Sequence, residues 1–101
     1  MKKEKDVSAA FLLHIGENIT KKRKENNFSL EKLGLEIGLT RMQIHRIEHG
    51  YNITMKTLLK IALALNTKTD ELVKFDYKFK KDDLEKLVNN NKSFKKQLKK
   101  N

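Results

Sequence analysis

The sequence predicts an all-α fold of five short helices followed by an additional C-terminal helix or tail. Apolar residues recur at spacings of three and four, as Leu30, Leu33 and Ile37 do, and so fall on one helical face. Glycines that can adopt a left-handed conformation and end a helix follow at Gly38 and Gly50. The 101 residues suffice for one domain with a modest helical core.

The first helix is predicted to follow a charged, frayed arm at residues 1–7. Ser8 is the expected cap of this helix, with Val7 packing on Leu12 as a hydrophobic staple. The apolar register of the helix continues into Arg23, whereas the neighbouring lysines point elsewhere. Arg23 is therefore expected to be more than a surface charge.

The central stretch, residues 28–50, is predicted to form two helices joined by a tight turn. Ser29 can cap the first of them, and Gly38 can end it within one residue. Thr40 and Gln43 have the T-x-x-Q spacing of a capping box, which fixes the start of the second helix.

The second of these helices is predicted to have one narrow apolar edge and one edge suited to a polyanion. At about 100° per residue, Ile44 and Ile47 lie together, and the opposite edge carries no acid. That edge consists of Met42, His45, Arg46 and His49, with Arg41 at the exposed first turn. Arginine can bind guanine, glutamine can bind adenine, and methionine can touch a thymine methyl group in a DNA major groove. The alternative is that this charged face is simply solvated.

Two further helices are predicted to complete the domain at residue 75. Thr54 is the expected cap of the fourth helix, which is apolar almost all round and should be the central core element. Its apolar residues are Leu58, Leu59, Ile61, Ala62 and Leu65. Thr69 is the expected cap of a short fifth helix.

Residues 76–101 are predicted to be a C-terminal extension whose role is open. Aromatic residues at alternate positions over 75–79 suit an extended segment or an edge strand. A D-x-x-E pattern at Asp82 and near-heptad apolar spacing predict a helix over 83–99. This helix is expected to pack either on another copy, as a dimerisation element, or on its own domain. The alternative is a fraying, lysine-rich tail that adds non-specific DNA affinity.

Composition favours a polyanion partner. The 23 Lys and Arg residues outnumber the 13 Asp and Glu residues, so the net charge is +10, and the pI is near 9.8. The absence of cysteine rules out disulfides and thiolate metal sites. No apolar run is long enough to span a membrane, and the N-terminus does not resemble a signal peptide, so we expect a cytoplasmic protein without a membrane partner.

Catalytic and metal-binding patterns are weak. His45 and His49 are four residues apart, as zinc ligands often are, but no third soft ligand is spaced with them. There is no glycine-rich phosphate loop and no nucleophile with a base at a recognisable spacing. The sequence therefore predicts neither an enzyme nor a cofactor.

The segment from Ile15 to Leu72 resembles the helix-turn-helix family of lambdoid phage repressors and Cro proteins, also called xenobiotic-response-element-like regulators. Four features in order carry the resemblance: the IGENI pattern, the glycine turn, the IHRIEHG ending and the TLLKIALAL helix. The resemblance implies a five-helix lambda-repressor-like domain over residues 8–75. It also implies a sequence-specific regulator of transcription that binds double-stranded DNA as a homodimer on a palindromic operator.

The resemblance also implies roles for individual residues. Base reading falls to Arg41, Met42, Gln43, His45 and Arg46. Phosphate binding falls to Leu30, His49, Asn52, Thr54 and Lys56. Leu30 stands where the family usually has glutamine, so only its backbone N–H could serve. Arg23 and Glu48 are expected to form a partly buried ion pair that fixes the angle of the reading helix.

Two related readings remain open. Some members of this family act as antitoxins, in which case residues 76–101 would bind a partner protein and DNA binding would be autoregulatory. A restriction-modification controller would differ in the operon that it serves and not in its chemistry.

Overall fold

A computed structural model describes residues 6–89 and confirms the all-α fold. The described residues form six helices: α1 (Val7–Glu25), α2 (Leu30–Ile37), α3 (Arg41–Glu48), α4 (Met55–Ala64), α5 (Thr69–Val73) and α6 (Asp83–Asn89). Within residues 6–89 there is no β-strand. None of the helices in this part of the chain is long and apolar enough to cross a membrane.

The α2-turn-α3 unit forms as the sequence predicts. Ser29 Oγ accepts a hydrogen bond from Lys32 N at 3.0 Å, and Gly38 ends α2 at a φ of 78°. Thr40 Oγ1 accepts from Gln43 N at 3.1 Å, and Gln43 Oε1 accepts from Thr40 N at 2.8 Å. The capping box is complete, so the start of α3 is fixed by two reciprocal hydrogen bonds.

Two glycines allow the close contacts that position α3. A Cβ on Gly34 would lie 2.4 Å from Leu39 O in the turn. A Cβ on Gly16 of α1 would lie 2.3 Å from Glu48 O at the end of α3. Both distances are far below van der Waals contact. Helix α2 therefore packs directly on the turn that precedes α3, and α1 packs directly on the backbone at the end of α3.

Two predicted helix starts are wrong. Asp6 caps α1 in place of Ser8, because its Oδ1 accepts from Ser8 N at 3.0 Å and Ala9 N at 3.2 Å. Val7 is therefore the first helical residue and cannot act as a staple ahead of the cap. Lys68 occupies the cap position of α5 without a side-chain hydrogen bond, and Thr69 is already helical.

The core lies between α1, α2, α3, α4 and α5. Its buried apolar residues are Ile15, Ile19, Leu33, Ile37, Ile44, Ile47, Leu58, Ile61, Ala62, Leu65 and Leu72. As expected, α4 supplies apolar residues to the core, namely Leu58, Ile61, Ala62 and the following Leu65, but Leu59 is 51% exposed and Leu63 is 72% exposed. Within residues 6–89, neighbouring helices cover only one side of α4, and its other side is an exposed apolar face.

The described part of the C-terminal extension folds back on the domain. The segment from 74 to 80 is irregular, so the edge-strand alternative is not realised. Phe75 stacks on Tyr77 with ring centroids 5.1 Å apart and also contacts Phe11 of α1 at 5.2 Å. The α6 helix then contacts α1. Helix α6 begins at Asp83 as predicted, and the predicted continuation over 90–99 lies outside the described residues.

Candidate nucleic-acid interface

The outward face of α3 is exposed and rests on two buried isoleucines. Ile44 is fully buried and Ile47 is 8% exposed, so the helix is anchored from one side. The six side chains on its other side are all exposed: Arg41, Met42, Gln43, His45, Arg46 and His49. The arrangement matches the two edges that the sequence predicts, and α3 offers a free surface on the outside of the domain.

The cations beside this face have no internal partner within residues 6–89. Arg41 and Arg46 on α3 and Lys56 at the start of α4 are exposed, and none forms an ion pair or side-chain hydrogen bond in this part of the chain. Arginine carries five N–H donors and no acceptor. These side chains can therefore donate to an external anion without breaking an internal contact.

The one acid of α3 is held inside the domain by Arg23. Arg23 Nε donates to Glu48 Oε2 at 2.6 Å, and Nη2 donates to Oε1 at 3.1 Å. The Arg23 and Glu48 side chains are only 10% and 3% exposed. Arg23 Nη1 also donates to Phe28 O at 2.8 Å, at the start of the segment that leads into α2. The expected ion pair is thus present, and it links α1, α3 and the approach to α2.

The two amide side chains at the interface have their oxygens committed to backbone N–H groups. Gln43 Oε1 accepts from Thr40 N at 2.8 Å. Asn52 Oδ1 accepts from Ile53 N at 2.8 Å. A backbone N–H requires an acceptor, so the oxygen and not the NH₂ group must face it. Gln43 Nε2 and Asn52 Nδ2 remain as donors.

The two histidines of α3 contact each other. Their rings lie 4.1 Å apart between centroids, and His49 Nδ1 lies 2.8 Å from His45 O. A carbonyl oxygen can only accept, so His49 Nδ1 carries the proton of this hydrogen bond. Among residues 6–89, no three His, Asp or Glu side chains form a group that could hold a metal ion.

The remaining predicted phosphate contacts lie around α3. Leu30 is the first residue of α2, and its half-buried side chain packs against the core, which leaves only its backbone for an anion. Thr54 caps α4, because its Oγ1 accepts from Thr57 N at 3.1 Å. The hydroxyl of Thr54 also donates to Thr57 Oγ1 at 3.0 Å, so this side chain is engaged within the domain.

A cleft of about 250 Å³ separates α3 from the loop that follows it. Gln43 and Arg46 line one side, and Asn52 and Thr54 line the other. Tyr51, which the sequence patterns do not single out, is exposed in this cleft, and its N–H donates to Arg46 O at 3.0 Å. Its place directly after Gly50, where the chain leaves α3, is the only sequence signal for it.

Comparison with known proteins identifies the fold. The helix-turn-helix family model matches residues 19–72, just over half of the chain. The chain is 31% identical to the restriction-modification controller protein C.AhdI from Aeromonas hydrophila, whose crystal structure superimposes with a TM-score of 0.60 over 62% of this chain and 97% of C.AhdI. No curated protein matches the chain by sequence.

Two further solved structures have the same fold. The SinR protein/SinI protein complex matches with 26% identity and a TM-score of 0.57, over 84% of this chain and 91% of the matched chain. A hypothetical transcription factor, NHTF, from Neisseria matches with 22% identity and a TM-score of 0.62, over 75% of this chain and 88% of the matched chain. At 22% identity, the second likeness concerns the fold alone.

Proposed function

Because the chain belongs to the Cro/C1-type helix-turn-helix family, we propose that it is a sequence-specific, double-stranded DNA-binding regulator of transcription. The observation that carries this proposal is the outward face of α3. This face is exposed and presents free cations, and the only acid of α3, Glu48, is buried in an ion pair with Arg23. Such a face complements a DNA major groove, which is wide enough to admit a helix.

Base reading is assigned to the first turns of α3. In this docking geometry the N-terminal residues of the recognition helix contact base edges. Arg41 and Arg46 would donate to guanine O6 and N7, and Met42, which is 49% exposed, would contact a thymine methyl group. His45 lies next along the exposed face and would read at the edge of the contact.

Phosphate binding is assigned to the surroundings of α3. Asn52 Nδ2 on the far side of the cleft and Lys56 near the start of α4 are free donors. The Leu30 N–H lies at the start of α2, where the helix dipole favours an anion. His49, exposed at the end of α3, would lie beside a phosphate. Thr54 would contribute as a cap that holds the loop and the start of α4 in place.

The ion pair between Arg23 and Glu48 is proposed to set the orientation of α3. It joins the end of α3 to α1 and to the Phe28 carbonyl, so a change in helix angle would break hydrogen bonds between charged groups inside the domain. Hydrogen bonds between ionised groups are stronger than those between neutral groups. A fixed helix angle is what allows several side chains to meet base edges at once.

We propose that the protein is a homodimer and that the exposed face of α4 joins the two copies. Leu59 and Leu63 lie one turn apart on this face, and Leu63 borders a groove lined by Ile37, Lys60 and Glu36. A two-fold arrangement could place Leu63 of each copy in the groove of the other, with Lys60 near Glu36 of the partner. Two recognition helices would then face successive major-groove turns about 34 Å apart on an imperfect palindrome.

Selection of bound fragments from random duplex DNA by the full chain tests this function. The proposal predicts enrichment of one sequence with two inverted half-sites. In parallel, the mass in solution of Leu63→Lys tests the dimer surface, with Leu84→Lys, the same substitution at an exposed position on α6, as a control variant. A dimeric wild type and a monomeric Leu63→Lys are expected; a dimeric Leu63→Lys would place the interface elsewhere.

The second candidate function is binding of a partner protein through residues 76–101. It is favoured by two exposed apolar side chains in the described part of this extension, Phe79 at 69% and Leu84 at 71% exposure. The double variant Phe79→Lys with Leu84→Lys replaces both of these side chains. If this variant binds the selected duplex and stays dimeric but loses a protein that the full chain captures, the extension serves that partner.

A further inference from the structure

Gln43 lies on the exposed face of α3, and its side chain already forms a hydrogen bond within the domain. Gln43 Oε1 accepts from the Thr40 backbone N–H at 2.8 Å, and the Gln43 backbone N–H donates to Thr40 Oγ1 at 3.1 Å. The exposed Nε2 group has no hydrogen-bond partner among the described residues.

The usual glutamine contact with adenine therefore competes with the capping box. That contact is bidentate, with the amide oxygen accepting from adenine N6 and the NH₂ group donating to N7. If Oε1 turned from Thr40 N to the base, this N–H at the start of α3 would lose its acceptor, and it has no other acceptor among residues 6–89. An unpaired N–H in a site that closes over DNA would offset the gain from the base.

We propose that Gln43 is a specificity-determining residue that reads its base pair only as a hydrogen-bond donor, and so favours guanine over adenine. Guanine presents two acceptors in the major groove, O6 and N7. Adenine presents N7 beside the N6 amino group, which would face the Gln43 NH₂ group donor to donor. This inference rests on the proposed DNA-binding function, and it specifies the base chemistry at one position of the site.

The neighbouring groups have the same polarity. Arg41 and Arg46, on either side of Gln43 along α3, can only donate, and Glu48 is occupied by Arg23. Across the cleft, Asn52 Oδ1 is occupied by Ile53 N. The amide and carboxylate oxygens of this region are thus engaged by the domain itself, and the free amide and guanidinium groups around Gln43 are donors.

Gln43→Glu is the decisive variant, because a glutamate at this position preserves the capping box. A carboxylate oxygen accepts from Thr40 N as the amide oxygen does, so α3 keeps its start. The substitution removes the Nε2 donor and supplies a free acceptor. The expected preference at the affected base pair moves from guanine to cytosine, whose N4 amino group donates to carboxylates.

The experiment is selection from random duplex DNA with the wild type and Gln43→Glu, followed by affinity measurements on the wild-type site. We expect guanine at one position in the wild-type selection, and a loss of about fivefold or more when that guanine becomes adenine or 7-deazaguanine. Gln43→Glu should keep the wild-type melting temperature and change the base preference at this position only.

Three results would overturn the proposal in distinguishable ways. If Gln43→Glu selects the same sequence as the wild type, Gln43 does not determine the preference for any base. If the wild type selects adenine there, and purine, which lacks the amino group, weakens binding, Oε1 accepts from the base and the donor-only role is wrong. If the wild type enriches no sequence at all, the proposed regulator function fails and the role of Gln43 fails with it.

Discussion

Removal of the Arg23 guanidinium should strongly destabilise the domain. Arg23→Met keeps much of the apolar length of the side chain but deletes three hydrogen bonds, two to Glu48 and one to Phe28 O. The Glu48 carboxylate, with a side chain 3% exposed, would be left without a counter-charge. Breaking one partner of a buried pair typically costs about 3 to 5 kcal/mol, a large part of the roughly 5 to 15 kcal/mol that holds a small domain together.

The chain contains a matched control at the neighbouring position. Lys22 Nζ lies 3.7 Å from Glu25 Oε1, but these side chains are 31% and 48% exposed. Water screens such a pair, so Lys22→Met should change the free energy of unfolding by no more than about 1 kcal/mol. The two substitutions remove one positive charge each from the same helix and differ mainly in burial.

Urea unfolding followed by circular dichroism measures both effects. We expect Arg23→Met to lose about 3 kcal/mol or more, and the double variant Arg23→Met with Glu48→Met to recover much of that loss, because neither charge then remains buried. Equal stabilities of Arg23→Met and Lys22→Met would refute this reasoning. A double variant no more stable than Arg23→Met would show that packing, and not the unpaired carboxylate, accounts for the loss.

Three further substitutions test the interface and its support. Arg41→Ala should reduce affinity for the selected duplex by about 1 to 3 kcal/mol and relax the preference at one base pair, as measured by titration against single-base variants of the site. Lys56→Ala should weaken binding to all sequences alike and reduce the slope of log affinity against log salt by about one, as measured across a salt series. Gly34→Ala should destabilise the domain in urea unfolding by about 1 to 3 kcal/mol, since its Cβ would lie 2.4 Å from Leu39 O; an unchanged midpoint would show that the turn can move away.

The sequence predicts the centre of the domain well because the signals there are local. Ser29, Thr40 and Thr54 each cap the helix that follows, and Gly38 has the left-handed φ that its place at a helix end requires. The contact between Arg23 and Glu48 spans 25 positions, and its prediction depended on family resemblance as well as on helical register.

The errors arise where one pattern fits two arrangements. Asp6 and Ser8 are both good caps, and only the folded chain shows that the carboxylate of Asp6 takes the helix N–H groups. Leu59 belongs to an apolar helix, but periodicity cannot show which of its sides the neighbouring helices leave uncovered. The T-x-x-Q spacing contains both roles proposed for Gln43, although only the hydrogen-bond geometry shows that Oε1 serves the cap.

The most direct test of the account compares two variants of equal net charge in binding to the selected duplex. Arg41→Glu with Arg46→Glu reverses both arginines on the outward face of α3, whereas Lys68→Glu with Lys74→Glu reverses two exposed lysines that flank α5. We predict that the α3 variant loses all preference for the selected site over random duplex, and that the α5 variant binds more weakly but keeps its preference. Equal preferences in the two variants would contradict the assignment of sequence reading to α3.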